Sequence, residues 1–176
     1  MAHAELITQF RPINLCNTLY KLLSYIIVQR LKPYIDEVIN PCQVGFMPGR
    51  RPSDNTILVQ EVIRMLKSRW GRNGYVAIKL DLERVYDQLE WSFIKESLEF
   101  FQMPPNLITL IMNMISFTRF HILWNGIPLP EITPTKGIRQ GNPLSPYLFI
   151  ICLERLLIRL EEAVRDRLIH PISFRG

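Results

Sequence analysis

Residues Gly137 to Phe149 read GIRQGNPLSPYLF, and no other stretch restricts the fold of this chain as much. A glycine beside an amide and a guanidinium lets the backbone come close to a flat or anionic partner. Ser145 followed by Pro146 predicts an N-cap and a first helical residue whose φ is already set. The loop therefore runs into a helix N-terminus, a place that attracts phosphate. On these grounds it is a candidate nucleotide-binding turn, without an activity attached.

With 176 residues, 48% hydrophobic and 21% charged, the chain reads as one packed domain or a piece of a larger one, not as a disordered segment. Its 21 basic against 16 acidic residues, net +5, fit a polyanionic partner and fit equally well none at all. Cys16, Cys42 and Cys152 are widely spaced and form no CxxC pair. Reduced thiols are expected, and neither a zinc site nor a disulfide framework. The first residues lack a basic-then-apolar leader pattern, with Glu5 where a signal core would be greasy. The longest apolar run, Leu144 to Leu160, is interrupted by Glu154, Arg155 and Arg159. An intracellular protein, nuclear or cytoplasmic, is expected: not secreted, without a transmembrane segment and without a membrane partner.

Periodicity predicts a helix over 18–31 with Leu19, Leu22, Leu23, Ile26, Ile27 and Leu31 on one face, stopping near Pro33. Residues 40–53 are dense in proline and glycine and read as a loop. Ser53, Asp54 or Asn55 can cap a second helix to about Trp70, with Ile57, Leu58, Val62, Met65 and Leu66 inward. After a turn at Gly71–Gly74, Tyr75 to Leu80 alternates as a strand that delivers Asp81 at its end. Helices around 90–101 and 105–115 are separated by Pro104 and Pro105, and Asn125-Gly126 predicts a hairpin within 117–132. A last helix spans about 146–166, and Leu168 to Phe174 can begin another strand. The fold class is α+β, helix-rich with a small antiparallel sheet.

Lys79 to Trp91, KLDLERVYDQLEW, is the second informative segment. A carboxylate at the end of a buried strand is desolvated unless a cation or donors compensate it. Asp81 there would suit Mg²⁺, which prefers carboxylate and phosphate oxygens. On the residues alone, Asp81 could also cap the next helix, with Tyr86 in the core and Asp87 bonding the helix that follows. Trp91, Trp124 and the apolar residues of 146–160 read as core. His3, His121 and His170 share no spacing that would hold a metal.

A strand ending in aspartate, an aromatic five residues on, and then RQG-x-PLSP-x-LF together resemble the reverse transcriptase domain of LINE-type non-LTR retrotransposons, closest to the plant elements. FRPINLCNTLYKLLSYIIVQRLKP resembles that family's first fingers motif, and NPCQVGFMPGRRPSDNTI its second. The motifs are collinear over nearly the whole chain. The resemblance implies a partial right-hand polymerase fold, with fingers over about residues 1–73 and 117–141 and palm over about 74–116 and 142–176. It implies that Asp81, with the backbone carbonyl of Leu82, binds catalytic Mg²⁺, and that Tyr86 lies under the incoming sugar as a steric gate. Arg11 would reach the triphosphate, while Gln140 and Gly141, with Arg139 beside them, pack on the nucleotide. Gln43, Phe46, Arg50 and Asn55 would line the template path. The implied partners are an RNA template, a DNA primer and dNTP; the oligomeric state is left open. For the single residues the plain readings stand beside these: Arg11 pairing with a carboxylate, and Arg50 and Arg51 in a solvated turn.

The chain departs from that pattern in ways that bear on activity. The family's aromatic-Ala-Asp-Asp hairpin, which supplies the second metal-binding carboxylate, is absent, and the acidic residues after Phe149 are Glu154, Glu161, Glu162 and Asp166 in a helical pattern. A two-ion site spans both oxygens of the displacement, so Asp81 alone is a poor cage. Asn142 stands where the family has aspartate, and Glu83-Arg84-Val85 replaces smaller or basic residues. The expectation is a reverse transcriptase fragment that is inactive alone. The alternatives are a non-catalytic nucleic-acid-binding remnant and an intron-maturase-like RNA-binding protein, and the FRPI and GRRPSDN forms favour the retroelement. Missing palm strands should also leave apolar surface uncovered.

Overall fold

The computed structural model of the chain describes residues 14–68, 76–82 and 84–172. Helix α1 (Thr18–Val38) starts at Asn17, whose side chain accepts a hydrogen bond from the Tyr20 N–H at 2.7 Å. It runs through Pro33 rather than stopping there. Proline inside a helix removes a hydrogen bond at a cost of about 3 kcal/mol. Beyond it Ile35 and Ile39 are buried, each contributing about 1.5–3 kcal/mol, and the Tyr34 hydroxyl donates to the Phe101 carbonyl. Those contacts outweigh the lost bond.

The buried face of α1 is Ser24, Ile27, Val28, Leu31 and Ile35, so the expected stripe is only partly right. Leu19, Leu22, Leu23 and Ile26 are exposed. The helix is apolar on more than one side, and tertiary packing chose the side. Ser24 joins the interior because its hydroxyl back-bonds to the Tyr20 carbonyl at 2.8 Å.

Helix α2 (Pro52–Ser68) forms close to its expected range, but its apolar residues face outward, including Ile57 and Leu58. The turn expected at Gly71–Gly74 lies outside the described residues. Residues 76–82 are not a strand; among the described residues no ladder pairs with them. Val76, Ile78 and Leu80 are 78%, 78% and 67% exposed. Exposed apolar surface is therefore present, though not as a sheet edge. A short helix α3 (Val85–Gln88) follows, entered through Arg84 in the left-handed region.

Helices α4 (Trp91–Phe100) and α5 (Pro105–Ser116) are separated as the prolines predict. Strands β1 (Leu123–Trp124) and β2 (Ile127–Pro128) pair antiparallel, Trp124 opposite Ile127, around the Asn125-Gly126 turn, with a further bridge between Phe120 and Ile132. Trp124 is exposed rather than core. Helix α6 (Ser145–Arg165) closes the order. Its first helical residue is Ser145, not an N-cap; the side chain of Asn142 instead accepts from the Leu144 N–H at 3.1 Å. Residues 168–172 form no strand.

Helix α4 packs on both α5 and α6. Ile94, Leu98, Ile111, Leu144, Leu148, Ile150 and Ile151 are fully buried and join the inner face of α1 in one core. Burial raises the Cys152 thiol to about 11, and all three cysteines are free. No helix among the described residues is long and apolar enough to cross a membrane.

Candidate functional site

The Gly137–Asn142 loop is built by its seat on α3. The Gly137 N–H donates to the Leu89 carbonyl at 2.8 Å and the Ile138 N–H to the Tyr86 carbonyl at 2.7 Å. The Trp91 indole N–H returns a bond to the Gly137 carbonyl at 2.8 Å. Gln140 Nε2 donates to Asp87 Oδ1 at 3.4 Å. Gly137 has φ +87°, and a Cβ there would stand 2.9 Å from the Asp87 carbonyl oxygen. Only glycine combines that backbone with that approach. Gly141 has φ +91° and faces the Asn14 carbonyl. The loop thus brings Tyr86, Arg139, Gln140 and Gly141 together.

Tyr86 is half-buried, its ring 5.4 Å from that of Phe149, and burial raises its phenol above the usual range. Arg139 lies between two aromatic rings, its guanidinium carbon 4.7 Å from the Tyr20 centroid and 5.1 Å from that of Phe120. Its Nη1 points at Cys16 Sγ, 3.7 Å away, while its Nε is buried without a partner. Tyr20 donates to the Met114 carbonyl at 2.7 Å; burial raises its phenol, partly offset by the Arg139 charge. These groups line a cleft of about 870 Å³ whose rim carries Asn14, Arg119, His121 and Lys136. Arg119 and His121 both lie near Glu131, at 3.3 and 3.8 Å.

The second loop is self-contained. Arg50 Nη1 donates to the Asn40 and Gln43 carbonyls, both at 2.7 Å, and Nη2 to the Ile39 carbonyl at 3.4 Å. Asn55 Nδ2 donates to the Cys42 carbonyl at 2.7 Å, and Gln43 Nε2 reaches the Gly45 carbonyl at 3.5 Å. Phe46 has φ +60° and is 59% exposed. Arg50 and Asn55 shape the loop while Phe46 projects from it.

Asp81 is exposed and, among the described residues, makes no hydrogen bond or ion pair. No three acidic, histidine or cysteine side chains gather there in a metal-holding group. One carboxylate and the Leu82 carbonyl do not fit a two-ion centre. Arg11 lies outside the described residues.

Sequence reasoning missed the supports of this site, Tyr20, Phe120 and Trp91. The available signal was an aromatic residue on the first turn of α1 and another just before the hairpin, both able to flank a loop arginine.

The sequence matches the reverse transcriptase (RNA-dependent DNA polymerase) family over residues 4–171. It is 30% identical over 164 residues to the retrovirus-related Pol polyprotein of a type-2 retrotransposable element from Drosophila melanogaster, covering 93% of this chain and 15% of the relative. The uncharacterized 149 kDa protein of transposon TX1 from Xenopus laevis is 28% identical over 158 residues, 90% of this chain and 12% of its own length. An uncharacterized mitochondrial protein of Arabidopsis thaliana shares 56% identity over 39 residues, 21% of this chain and 32% of that protein. The chain spans less than a sixth of the two retroelement proteins it matches along nearly all its length. With RQG seated on the turn that carries Tyr86, and the match running through nearly every residue, the chain belongs to the reverse transcriptase family, among the homologues encoded by non-LTR retrotransposons.

Proposed function

We propose that this chain is the fingers and first part of the palm of an RNA-directed DNA polymerase that, when complete, adds dNTPs to a DNA 3′ end on an RNA template. The fingers are about residues 1–73 and 117–141, and the palm about 74–116 and 142–176. One observation carries the reading: the Gln140–Gly141 loop is docked on the α3 turn that bears Tyr86, beside a cleft with a cationic rim. Gln140 and Gly141 would present amide and backbone to the nucleotide, Tyr86 would lie under its sugar, and Arg11 would meet its phosphates. The second loop would face the template, with Phe46 as a flat surface for a base and Arg50, Gln43 and Asn55 as its frame.

The complete enzyme's Mg²⁺ would use Asp81 and the Leu82 carbonyl, but the donors in this chain do not complete that centre, and its sequence contains no Ala-Asp-Asp. No polymerase activity is therefore expected from it alone. Primer extension on an RNA template, wild type against Asp81→Ala, tests this: both should be silent, and Asp81-dependent extension by this chain would show the inactivity reading to be wrong. The lone carboxylate also favours a second reading, a non-catalytic nucleic-acid-binding remnant. That reading requires single-stranded RNA binding that weakens as salt rises; binding indifferent to salt rules out phosphate contacts.

A further inference from the structure

Six polar or charged side chains are buried among the described residues, and Glu154 is the one that is ionisable. Ser24, Ser97 and Thr118 each back-bond to a carbonyl four residues earlier, at 2.8, 2.6 and 3.3 Å. Asn142 caps the start of α6. Glu154, 3% exposed in the middle of α6, has no such local explanation. Its Oε2 is buried with no partner.

Glu154 lies under the second loop. The Asn40 backbone N–H bonds to its carboxyl, and the charged groups facing it are Arg50 on that loop and Glu161 farther along α6. Arg50 spends its donors on the carbonyls of Ile39, Asn40 and Gln43. Asn40 Nδ2 also donates to Glu161 Oε1 at 3.1 Å, a second tie between loop and helix. An ionised carboxylate in this place would leave a buried charged oxygen unsatisfied, which costs far more than a neutral one.

We propose that Glu154 is a positioning residue that seats the 39–50 loop on α6 in its neutral form and loosens it when ionised. Burial raises its carboxyl above the ordinary range, with Glu161 adding to the shift and the Asn40 N–H and Arg50 opposing it. The sign follows from linkage. When the loop lifts, water reaches the carboxyl and its affinity for protons falls to the ordinary value. The seated form therefore holds the proton more tightly, and seating weakens as pH rises from the ordinary carboxylate range through the raised one. The same helix begins at the Gln140–Gly141 loop, so the consequence for template and nucleotide rests on the polymerase reading. The seat itself does not.

Amide hydrogen exchange tests it without nucleic acid. Wild type and Glu154→Gln are compared from pH 5 to 8, each rate divided by the intrinsic rate at that pH. The reporters are the Cys42 and Gln43 amides, bonded to Asn40 Oδ1 and the Asn40 carbonyl; peptides from α4 and α5 serve as controls. In wild type the opening of the loop should rise with pH, on the order of tenfold for each unit by which burial raises the carboxyl. In Glu154→Gln it should stay flat and as protected as wild type at low pH. A flat wild type, a variant that keeps the pH step, or an equal step in α4 and α5 would overturn the proposal. So would a Glu154→Gln chain that fails to fold, since a neutral group of the same shape should keep the seat.

Discussion

The loop at Gly137–Asn142 and the extended segment 76–82 hold the two most diagnostic stretches of this sequence, yet only one of them is built. The loop is stitched to Tyr86, Asp87, Leu89 and Trp91 by main-chain and side-chain bonds and stands over the fully buried Leu144 and Leu148. The segment presents Val76, Ile78 and Leu80 to solvent, with no ladder among the described residues. A turn can satisfy its groups with whatever lies next to it, whereas a strand is stable only when other strands accept its hydrogen bonds and cover its face. Alternating sequence is thus a statement about partners, and a chain can carry the pattern without them.

The largest test of this contrast uses two leucines. Leu148→Ala removes a side chain buried beneath the loop and should cost about 2–5 kcal/mol, read as a lowered denaturant midpoint. Leu80→Ala, on a side chain 67% exposed, should stay within about 0.5 kcal/mol. Equal losses would mean that the segment is packed as firmly as the loop. Next in size is Gly137→Ala. Alanine at φ +87°, with its Cβ 2.9 Å from the Asp87 carbonyl oxygen, should cost about 1–3 kcal/mol. Fluorescence of the tryptophans should change with it, because Trp91 is tied to the Gly137 carbonyl. An unchanged midpoint would show that the loop is not seated on α3 as described.

What could be read from the residues follows the same division. Helices α4 and α5, the Asn125-Gly126 hairpin and α6 were all accessible, because prolines, a turn dipeptide and periodicity act within a few residues. Which face of α1 turns inward was not, since Leu22 and Ile26 are as apolar as Ile27 and Leu31, and contacts with distant elements decide. Ser145 looked like a cap, but Asn142, two residues before Leu144, took the bond instead. Of the site, the members of the loop were apparent and their supports were not. Glu154 reads in sequence as one of several acids in a helix, and nothing local distinguishes it from the exposed Glu161. The guanidinium of Arg50 bonds only to carbonyls close to it in the chain, yet its residue type advertises an anion.

Arg139 allows the smallest and sharpest test, because two uses of one guanidinium predict different responses to the same change. Lysine keeps the charge but loses the flat face that lies against Tyr20 and Phe120. If the rings hold the side chain, Arg139→Lys should lower stability by about 1 kcal/mol. A double-mutant cycle with Phe120→Leu should then return a coupling of about 0.5 kcal/mol or more. If the guanidinium is free to meet phosphate, lysine should be tolerated and the cycle should be additive. Tyr20 adds a spectroscopic check: its phenol is raised by burial and held down in part by the Arg139 charge. Lysine retains a positive charge but not its seat between the rings, so its smaller offset should let the tyrosine titrate higher still. A shift in that direction together with a coupled cycle would place Arg139 in the frame of the loop, leaving Gln140 and Gly141 as the groups free to face a nucleotide.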